Sequence, residues 1–212
     1  MKFELDHFFI FTEAGAPIAE RLVSLGLEEG KPNTHPGQGT SNRRFFFSNS
    51  MLELIWVHDA LEAASGPARR CLFLERSRES NASPFGLVFR RTGGVTPDVP
   101  FPGWKYEPDY LDPPFYFHVG KNSDNILEPL CIYMPFAAPP EKATDLKPFN
   151  IVSDVHITSP SEDPSDVLQQ ATKADGLTLA HGAQHLMEVT FCGGREHRSC
   201  DLSPALPFLL RW

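Results

Sequence analysis

The sequence predicts an α+β protein built around a repeated strand–helix–strands unit. Residues 5–12 have the two-residue periodicity of a half-buried strand. The apolar residues that follow have helical spacing and end at Gly26. The same order of strand, helix and glycine returns at residues 152–177. An internal repeat of this kind is a strong indication of architecture.

The first unit is predicted over residues 1–60. In its first strand, Phe8 and Ile10 should pack under the helix because successive residues of a strand face opposite sides. The helix begins near Pro17, which suits a first helical turn, and Gly26 ends it as a left-handed cap. The opposite face of the strand carries Leu5, His7, Phe9 and Phe11.

Three shorter strands complete this unit. Residues 27–29 are a short strand, and a polar, glycine-rich loop follows over residues 30–40. Residues 44–48 and 51–57 are predicted as two strands joined by a tight turn at Asn49. The unit is therefore βαβββ.

The C-terminal segment, residues 151–212, repeats this order. His7 and Gly26 are 19 residues apart, and His156 and Gly176 are 20 apart. Strand, histidine, proline-led helix, apolar stripe and Gly-Leu stop recur in register. We therefore expect the first and last units to be equivalent and to pair, with His7 matching His156.

Two segments lie between these units. Residues 61–83 are predicted as a connecting helix whose arginines face solvent. Residues 84–150 contain a proline-rich loop, 97–114, that cannot be a helix or a central strand, and we expect it to be a lid or a decoration of the rim. The strand candidates here are residues 84–90, 115–119 and 129–134.

Composition narrows the class of protein. The chain is 41% hydrophobic and 22% charged, as in ordinary globular proteins. Its net charge of −8 argues against nucleic-acid and anionic-membrane partners, because both require a basic surface. We see no signal peptide, and no apolar run approaches the ~20 residues that span a bilayer. The four cysteines form no CxxC pair, so we expect reduced thiols and a cytoplasmic protein.

Several common catalytic motifs are missing. The sequence has no P-loop, no dinucleotide-binding glycine pattern and no nucleophile elbow. His181 and His185 are four residues apart, but their segment contains glycine and lacks the glutamate of a helical zinc motif.

The strands that carry His7 and Glu53 hold the remaining candidates. Glu53 lies inside the apolar run of residues 51–55, where a carboxylate without a partner would be costly. Neutral imidazole and carboxylate are a suitable ligand set for Zn, Fe, Mn or Ni. The C-terminal unit repeats the pattern with His156 and Glu188.

Three stretches resemble the glyoxalase-like branch of the vicinal-oxygen-chelate superfamily. They are Leu5-Asp6-His7, the segment His-Pro-Gly-Gln-Gly-Thr-Ser-Asn-Arg at residues 35–43, and Leu52-Glu53-Leu54-Ile55. The resemblance lies mostly in the first 57 residues. It implies paired βαβββ modules curled into an open cup, with helices outside and a small-molecule site inside.

The resemblance also implies a ligand set, because metal-dependent members take ligands from the first and last strands of each module. The corresponding residues here are His7, Glu53, His156 and, as the fourth, Glu188. Glu188 lies only 12 residues after Gly176, whereas Glu53 lies 27 residues after the first helix cap. Asp201 and His118 are the alternative candidates for the fourth metal ligand.

Other roles stay open for the same residues. Glu53 is the candidate catalytic base, or else a structural carboxylate paired with a buried arginine such as Arg43. His7 is either a metal ligand or a hydrogen-bonded pocket histidine. His35, Asn42 and Arg43 are candidate substrate-binding residues, and the alternative is that they only shape a turn.

Three functions remain under consideration. The first is a metal-dependent lyase, isomerase or dioxygenase acting on a substrate with adjacent oxygens. The second is a protein that binds or sequesters a small molecule without chemistry. The third is a metal-free lyase or hydrolase-like enzyme that uses His7, His35 and Glu53 directly. A divalent metal is a cofactor only in the first, the expected partner is a small molecule, and a homodimer is a further candidate assembly.

Overall fold

A computed structural model describes residues 2–78, 81–93, 98–137 and 149–212. Within these residues the chain forms thirteen strands and four α-helices. The first four strands are β1 Phe3–Phe11, β2 Asn33–His35, β3 Thr40–Phe46 and β4 Met51–Val57. The next four are β5 Phe85–Arg91, β6 Gly103–Tyr106, β7 Phe117–Gly120 and β8 Leu130–Met134. The last five are β9 Val152–Ser159, β10 Leu177–His181, β11 Leu186–Phe191, β12 Ser199–Asp201 and β13 Phe208–Arg211. The helices are α1 Ala19–Ser24, α2 Ala60–Ser65, α3 Phe73–Arg78 and α4 Asp166–Ala171.

Strands β1 to β8 form one eight-stranded sheet in the order β2-β3-β4-β1-β5-β8-β7-β6. Its two halves meet where β1 pairs antiparallel with β5. Outward from this seam, each half has the order first, fourth, third and second strand, and its first and fourth strands are parallel. The sheet curls into a half-barrel. The predicted fold class, α+β with modules that form an open cup, is confirmed.

The C-terminal strands form a separate five-stranded sheet, β10-β9-β11-β13-β12. The predicted pairing of the first and last units is therefore wrong, because β1 pairs with β5 of the middle segment. Six successive residues of β5 are buried, whereas β9 alternates buried positions with partly exposed ones such as His156. A strand buried on both faces belongs in the centre of a covered sheet, and a one-sided strand belongs to a layer that faces solvent.

The last unit nevertheless has the predicted local order. Strand β9 leads into α4, and Gly176 follows with φ +74°, as Gly26 follows α1 with φ +100°. Ser165 begins α4 by accepting a hydrogen bond from the Leu168 N–H. The repeat is therefore present in local structure, while the strands of the last unit pair among themselves.

The eight-stranded sheet separates two apolar clusters. The outer cluster contains Phe8, Ile10, Leu52 and Leu54, with residues of α1, α4 and the C-terminal sheet. The inner cluster contains Phe9, Phe11 and Ile55. On β1 these faces are the predicted ones, and β4 alternates in the same way. Leu5 is the exception, because a β-bulge lies between Leu5 and His7 and Leu5 packs against the outer cluster.

The connecting segment differs from the expected solvated helix. It forms α2, a 3-10 turn at Arg69–Cys71, and α3. Arg76 is only 2% exposed, and its guanidinium donates to main-chain carbonyls that include those of Cys71 and Glu128. A buried cation is tolerated where carbonyl oxygens replace its water, and here they join the segment to the end of the cup.

Both edge strands of the cup lie in segments predicted as loops. Strand β2 lies within the predicted glycine-rich loop of residues 30–40, and β6 lies in the proline-rich segment. An edge strand pairs on one side only, so a proline-rich segment can supply it.

The described residues contain no helix with the length and apolar character needed to cross a membrane. All four cysteines are free thiols.

The C-terminal sheet is attached to the cup at the turn between β3 and β4. Asn49 Nδ2 donates to the Val152 carbonyl at 2.7 Å, and Asn49 Oδ1 accepts from the Val152 N–H at 2.9 Å. Nearby, the Ser48 N–H donates to the Asn150 carbonyl at 2.7 Å. One side chain thus satisfies both main-chain groups at the start of β9.

We expect Asn49→Ala to lower the free energy of unfolding by about 1–3 kcal/mol, because it leaves both main-chain groups of Val152 without this partner. Urea unfolding followed by circular dichroism measures the change. Gln184→Ala removes an exposed side chain from the loop between β10 and β11 and should alter stability by less than about 0.5 kcal/mol. Equal stability of the two variants would contradict this role of Asn49.

Candidate functional site

The concave side of the cup holds a cavity of about 210 Å³. The first half of the sheet supplies most of its polar wall, namely His7, Asn33, His35, Gln38 and Glu53. Tyr106 and Tyr110 complete that wall. The apolar wall consists of Phe9, Ile55, Cys71, Phe73, Val88, Phe117, Ile132 and Met134. A ligand here meets polar groups on one side and hydrocarbon on the other.

His7 is held by its neighbour Asp6. The bulge in β1 interrupts the strand's alternation, and His7 Nδ1 lies 2.6 Å from Asp6 Oδ1, to which it donates. The second carboxylate oxygen, Asp6 Oδ2, accepts from Arg90 Nη1 at 2.8 Å. No described residue forms a hydrogen bond with His7 Nε2, so this atom is available to a ligand.

The charges around His7 favour its protonated form. Burial alone would lower the pKa of His7, but the hydrogen bond to Asp6 and the negative charges of Glu53 and Asp6 raise it above 6.5. Burial opposes ionisation of Asp6, yet His7 and Arg90 together hold the pKa of that carboxyl below its usual value. The pair therefore favours imidazolium and carboxylate.

Glu53 is fixed from behind by β3. Asn42 Nδ2 donates to Glu53 Oε1 at 2.9 Å. Asn42 Oδ1 accepts from the Asn33 N–H at 2.9 Å, which fixes the orientation of the amide. Glu53 is 8% exposed and lines the cavity, and no described residue forms a hydrogen bond with its Oε2. One carboxylate oxygen is thus anchored and the other is free.

His35 is the last residue of β2, and Gln38 belongs to the turn between β2 and β3. Gly39 in this turn has φ +71°, and a Cβ there would lie 2.3 Å from the Asp59 carbonyl oxygen, so only glycine fits. His35 Nδ1 lies 3.0 Å from Thr40 Oγ1, and Gln38 Nε2 donates to the same hydroxyl at 2.8 Å. Burial lowers the pKa of His35, so the ring favours its neutral form.

Tyr106 and Tyr110 contact Gln38 from the other half of the cup. Their hydroxyls donate to Gln38 Oε1 at 3.4 Å and 3.1 Å. Burial raises the pKa of both tyrosines, so both stay protonated donors. Burial likewise raises the pKa of Cys71 to about 12, which leaves an inert thiol in the apolar wall.

Two predicted substrate-binding residues lie behind or outside the cavity. Asn42 is fully buried and positions Glu53. Arg43 donates to Glu29 at 2.6 Å through both Nε and Nη2, and its Nη2 lies 2.9 Å from Glu20 Oε1. The alternative in which Glu53 pairs with Arg43 is therefore wrong, and Arg43 does not line the cavity.

The structure does not bring the four predicted metal ligands together. His156 and Glu188 face each other across β9 and β11 of the C-terminal sheet. His156 Nδ1 lies 2.8 Å from Thr178 Oγ1, and Glu188 accepts from Arg211 at 2.7 Å. They form a polar pair of their own, and neither lines the cavity that holds His7.

The rivals for the fourth position also lie elsewhere. His118 Nε2 lies 2.8 Å from the Phe101 carbonyl oxygen, and Asp201 accepts from the Ser203 N–H at 2.8 Å. Within the part of the chain that the structure describes, no three His, Cys, Asp or Glu side chains are placed to hold a metal ion.

Sequence reasoning missed four residues of the site: Asp6, Gln38, Tyr106 and Tyr110. Strict alternation turns Asp6 away from His7, so only the bulge explains their contact. The turn sequence marks Gln38 as a loop residue, and its contacts with the tyrosines join chain segments about 70 residues apart. The two tyrosines lie in the proline-rich segment that the sequence predicts as a lid or a decoration of the rim. An aromatic residue in a lid over the cavity is the signal that could have identified them.

Comparison with family models gives no match, and comparison with curated proteins gives none. Among solved structures, a hypothetical protein from Staphylococcus aureus matches 99% of this chain and 99% of its own, with 10% identity and a TM-score of 0.59. A methylmalonyl-CoA epimerase in complex with methylmalonyl-CoA and NH4+ matches 68% of this chain and 100% of its own (12% identity, TM-score 0.41). The Mycobacterium tuberculosis methylmalonyl-CoA epimerase matches 64% and 87% (14% identity, TM-score 0.38). At 10% identity the likeness to the staphylococcal protein concerns the fold alone, and it covers 99% of this chain.

We expect Asp6→Asn to lower the pKa of His7, because it removes the negative charge at Nδ1. In the native protein the raised pKa means that the protonated pair stabilises the fold fully below the unfolded-state pKa of about 6.5. This contribution is lost as the pH rises through the folded-state pKa, and the variant should lose less stability over that interval.

An NMR titration of the His7 ring and urea unfolding at several pH values measure both effects. Asp112→Asn removes an exposed carboxylate and is the matched control. An identical His7 pKa in Asp6→Asn and in the control would rule out this account of the pair.

Proposed function

We propose that the protein is an enzyme that moves a proton on a small molecule, an isomerase or lyase of the glyoxalase-like kind, with Glu53 as the base and His7 as the acid. One observation carries the proposal. The cavity wall holds a carboxylate with one free oxygen and a histidine with one free ring nitrogen, and each is anchored from behind by its other atom.

The arrangement suits removal of a proton from a carbon next to a carbonyl. The C–H bond breaks, the proton moves to Glu53 Oε2, and the electron pair moves onto the carbonyl oxygen as an enolate. His7, kept protonated by Asp6, then returns a proton to the substrate. These steps need no oxidant and no reductant.

The charge of Glu53 reaches several cavity groups. It favours the protonated forms of His7, His35 and Tyr110. The four side chains therefore act within one small space, as a base and its proton donors must.

The shape of the cavity limits the substrate. About 210 Å³ with an apolar wall that includes Val88, Ile132 and Met134 suits a short aliphatic molecule with an oxygen-bearing end. The resemblance to the glyoxalase-like branch implies a substrate with two adjacent oxygens. The ring N–H groups of His7 and His35 are two hydrogen-bond donors that could bind these oxygens.

A divalent metal has too few ligands in this cavity. A catalytic zinc site uses three protein ligands. His7 Nε2, His35 Nε2 and Glu53 Oε2 have no described hydrogen-bond partner, but no three His, Cys, Asp or Glu side chains of the described residues are placed to hold one ion. The facing wall is hydrocarbon. We therefore assign no step to a metal, and the dioxygenase alternative has less support than proton transfer.

The apolar wall also favours a second candidate function. Eight of the fifteen lining residues are apolar, which would suit a protein that sequesters a small molecule without converting it. Binding without proton exchange would distinguish this function.

The cellular setting is part of the proposal. The four free cysteines favour a reducing compartment, and we propose the cytoplasm. A homodimer stays a prediction.

We expect Glu53→Gln to slow exchange of substrate carbon-bound protons by at least about 100-fold, the usual contribution of a general base. Folding should be preserved because an amide oxygen can still accept from Asn42. The measurement is deuterium incorporation from D2O, followed by NMR, across a panel of short 2-oxo acids and 2-hydroxy ketones.

Glu29→Gln is the matched control, since Glu29 forms an ion pair with Arg43 outside the cavity. Exchange rates that are equal in native protein and Glu53→Gln would refute the role of Glu53. Binding without exchange in the native protein would favour the sequestration function instead.

We expect protein purified without chelator to contain well under one divalent ion per chain. Added Zn, Mn, Fe or Ni should leave its melting temperature unchanged, because no three ligating side chains of the described residues are placed to form a tight site. Elemental analysis and thermal melts measure this. A stoichiometric ion that is lost in His7→Ala would revive the metal-dependent alternative.

A further inference from the structure

We infer that Gln38 is a positioning residue that holds His35 as a hydrogen-bond donor, so that the cavity selects substrates with a carbonyl-type oxygen. This inference rests on the proposed function, whose proton transfer requires such an oxygen to receive the electron pair. To the proposed function it adds a role for Gln38, which acts through His35 and need not contact the substrate. It also adds a preference for substrates with a carbonyl-type oxygen.

The oxygen of the Gln38 amide is fixed by the tyrosines. Tyr106 and Tyr110 both bring a hydroxyl to Gln38 Oε1, at 3.4 Å and 3.1 Å. Tyr106 is 4% exposed, so its hydroxyl needs an acceptor inside the protein. A reversed amide would make the hydroxyls acceptors of its N–H groups, and neither phenol proton would then have Oε1 as its acceptor. The amide nitrogen therefore faces the other way, toward Thr40 and His35.

The amide nitrogen decides what His35 Nδ1 can do. Gln38 Nε2 is a donor only, and it lies 2.8 Å from Thr40 Oγ1 and 3.5 Å from His35 Nδ1. Thr40 Oγ1 accepts this hydrogen bond, which leaves its own proton to donate to His35 Nδ1 at 3.0 Å. Both neighbours of Nδ1 thus present hydrogens, and Nδ1 is the acceptor.

The proton of the neutral ring then lies on Nε2, at the opposite side of the imidazole. Burial favours this neutral ring, in agreement with the geometry. No described residue accepts from His35 Nε2, and His35 lines the cavity, so the N–H is available to a substrate. His35 is 9% exposed, so water competes poorly for this hydrogen bond.

The substrate class follows from this donor. A ketone oxygen at Nε2 completes the hydrogen bonding of the ring, whereas a methylene group in its place leaves a buried N–H unpaired. The unpaired donor should weaken binding by about 10- to 100-fold. The same N–H would stabilise the enolate oxygen that forms when Glu53 takes the proton.

The decisive experiment determines the His35 tautomer by 15N NMR of ring-labelled protein, in the native chain and in Gln38→Glu. Glutamate has the same size, and its carboxylate still accepts from both tyrosines. It also turns an acceptor toward His35, so a proton should appear on Nδ1. We expect a bare Nδ1 and a protonated Nε2 in the native protein, and a protonated Nδ1 in the variant.

Two controls separate this effect from general disturbance. Gln184→Glu adds the same charge at an exposed position and should leave the tautomer unchanged. Thr40→Val keeps the side-chain shape and removes the hydroxyl donor, so it should also change the Nδ1 signal, and it serves if Gln38→Glu does not fold. A protonated Nδ1 in the native protein, or a tautomer that neither variant alters, would overturn the role of Gln38.

The substrate rule is tested with 2-oxobutanoate and butanoate as probes, by titration of the native protein and Gln38→Glu. We expect the native protein to bind the oxo acid at least about 10-fold more tightly, and the variant to lose that preference. Equal affinity in the native protein, including no binding of either probe, would overturn the substrate rule. The expected tautomers without any proton exchange would refute the proposed function and leave the role of Gln38 standing.

Discussion

The buried guanidinium of Arg90 is the interaction on which both the cavity and the attached C-terminal sheet depend. Arg90 is 5% exposed, and it donates to Glu4 at 2.6 Å, to Asp6 at 2.8 Å and to the Asn49 carbonyl at 2.8 Å. Asp6 in turn holds His7, and Asn49 holds the start of β9. The guanidinium of one arginine in β5 thus orients both the proposed acid, His7, and the β3–β4 turn to which the C-terminal sheet is attached. Loss of a partner from a buried pair of this kind typically costs about 3–5 kcal/mol, because the remaining charge stays buried.

The two halves of the cup share a strand order but differ in chemistry. Across the seam, His7 of β1 pairs with Val88 of β5, so a polar position meets an apolar one. Gly86 on β5 makes room for the Phe9 ring, since a Cβ there would lie 1.9 Å from it. The first half therefore supplies the reacting groups, and the second supplies a hydrocarbon wall. A wall of this kind excludes water and strengthens the electrostatic effects of the few charges that remain.

Periodicity predicted the features that depend on one strand at a time. The inward faces of His7 and Glu53, the outward faces of Phe8 and Leu52, and the glycine cap of α1 follow from local rules. The meeting of His7, Glu53 and His35 in one cavity also agrees with the sequence-based hypothesis.

The partner of β1 was not predictable in the same way. Both β5 and the C-terminal unit offer an apolar strand, and the choice depends on β5 being buried on both faces. Burial on both faces depends on how the whole folded chain packs around β5. The bulge at Asp6 and the burial of Arg76 likewise depend on neighbours distant in sequence, namely β5 and the carbonyls near Glu128. His156 resembles His7 in its local sequence, but its strand lies in a sheet with a solvent-facing side.

Closure of the cup connects its architecture to its chemistry. Strands β2 and β6 are the two edges of the eight-stranded sheet, and they do not pair with each other. The gap between them is spanned by side chains: Gln38, just after β2, accepts from Tyr106 on β6 and from Tyr110 beyond it. A full barrel would close this gap with main-chain hydrogen bonds and bury the site permanently. Here one amide and two phenols span the gap instead, and these contacts hold the amide in the orientation that makes His35 a donor. The cavity is therefore completed by the same contact that determines what it can bind.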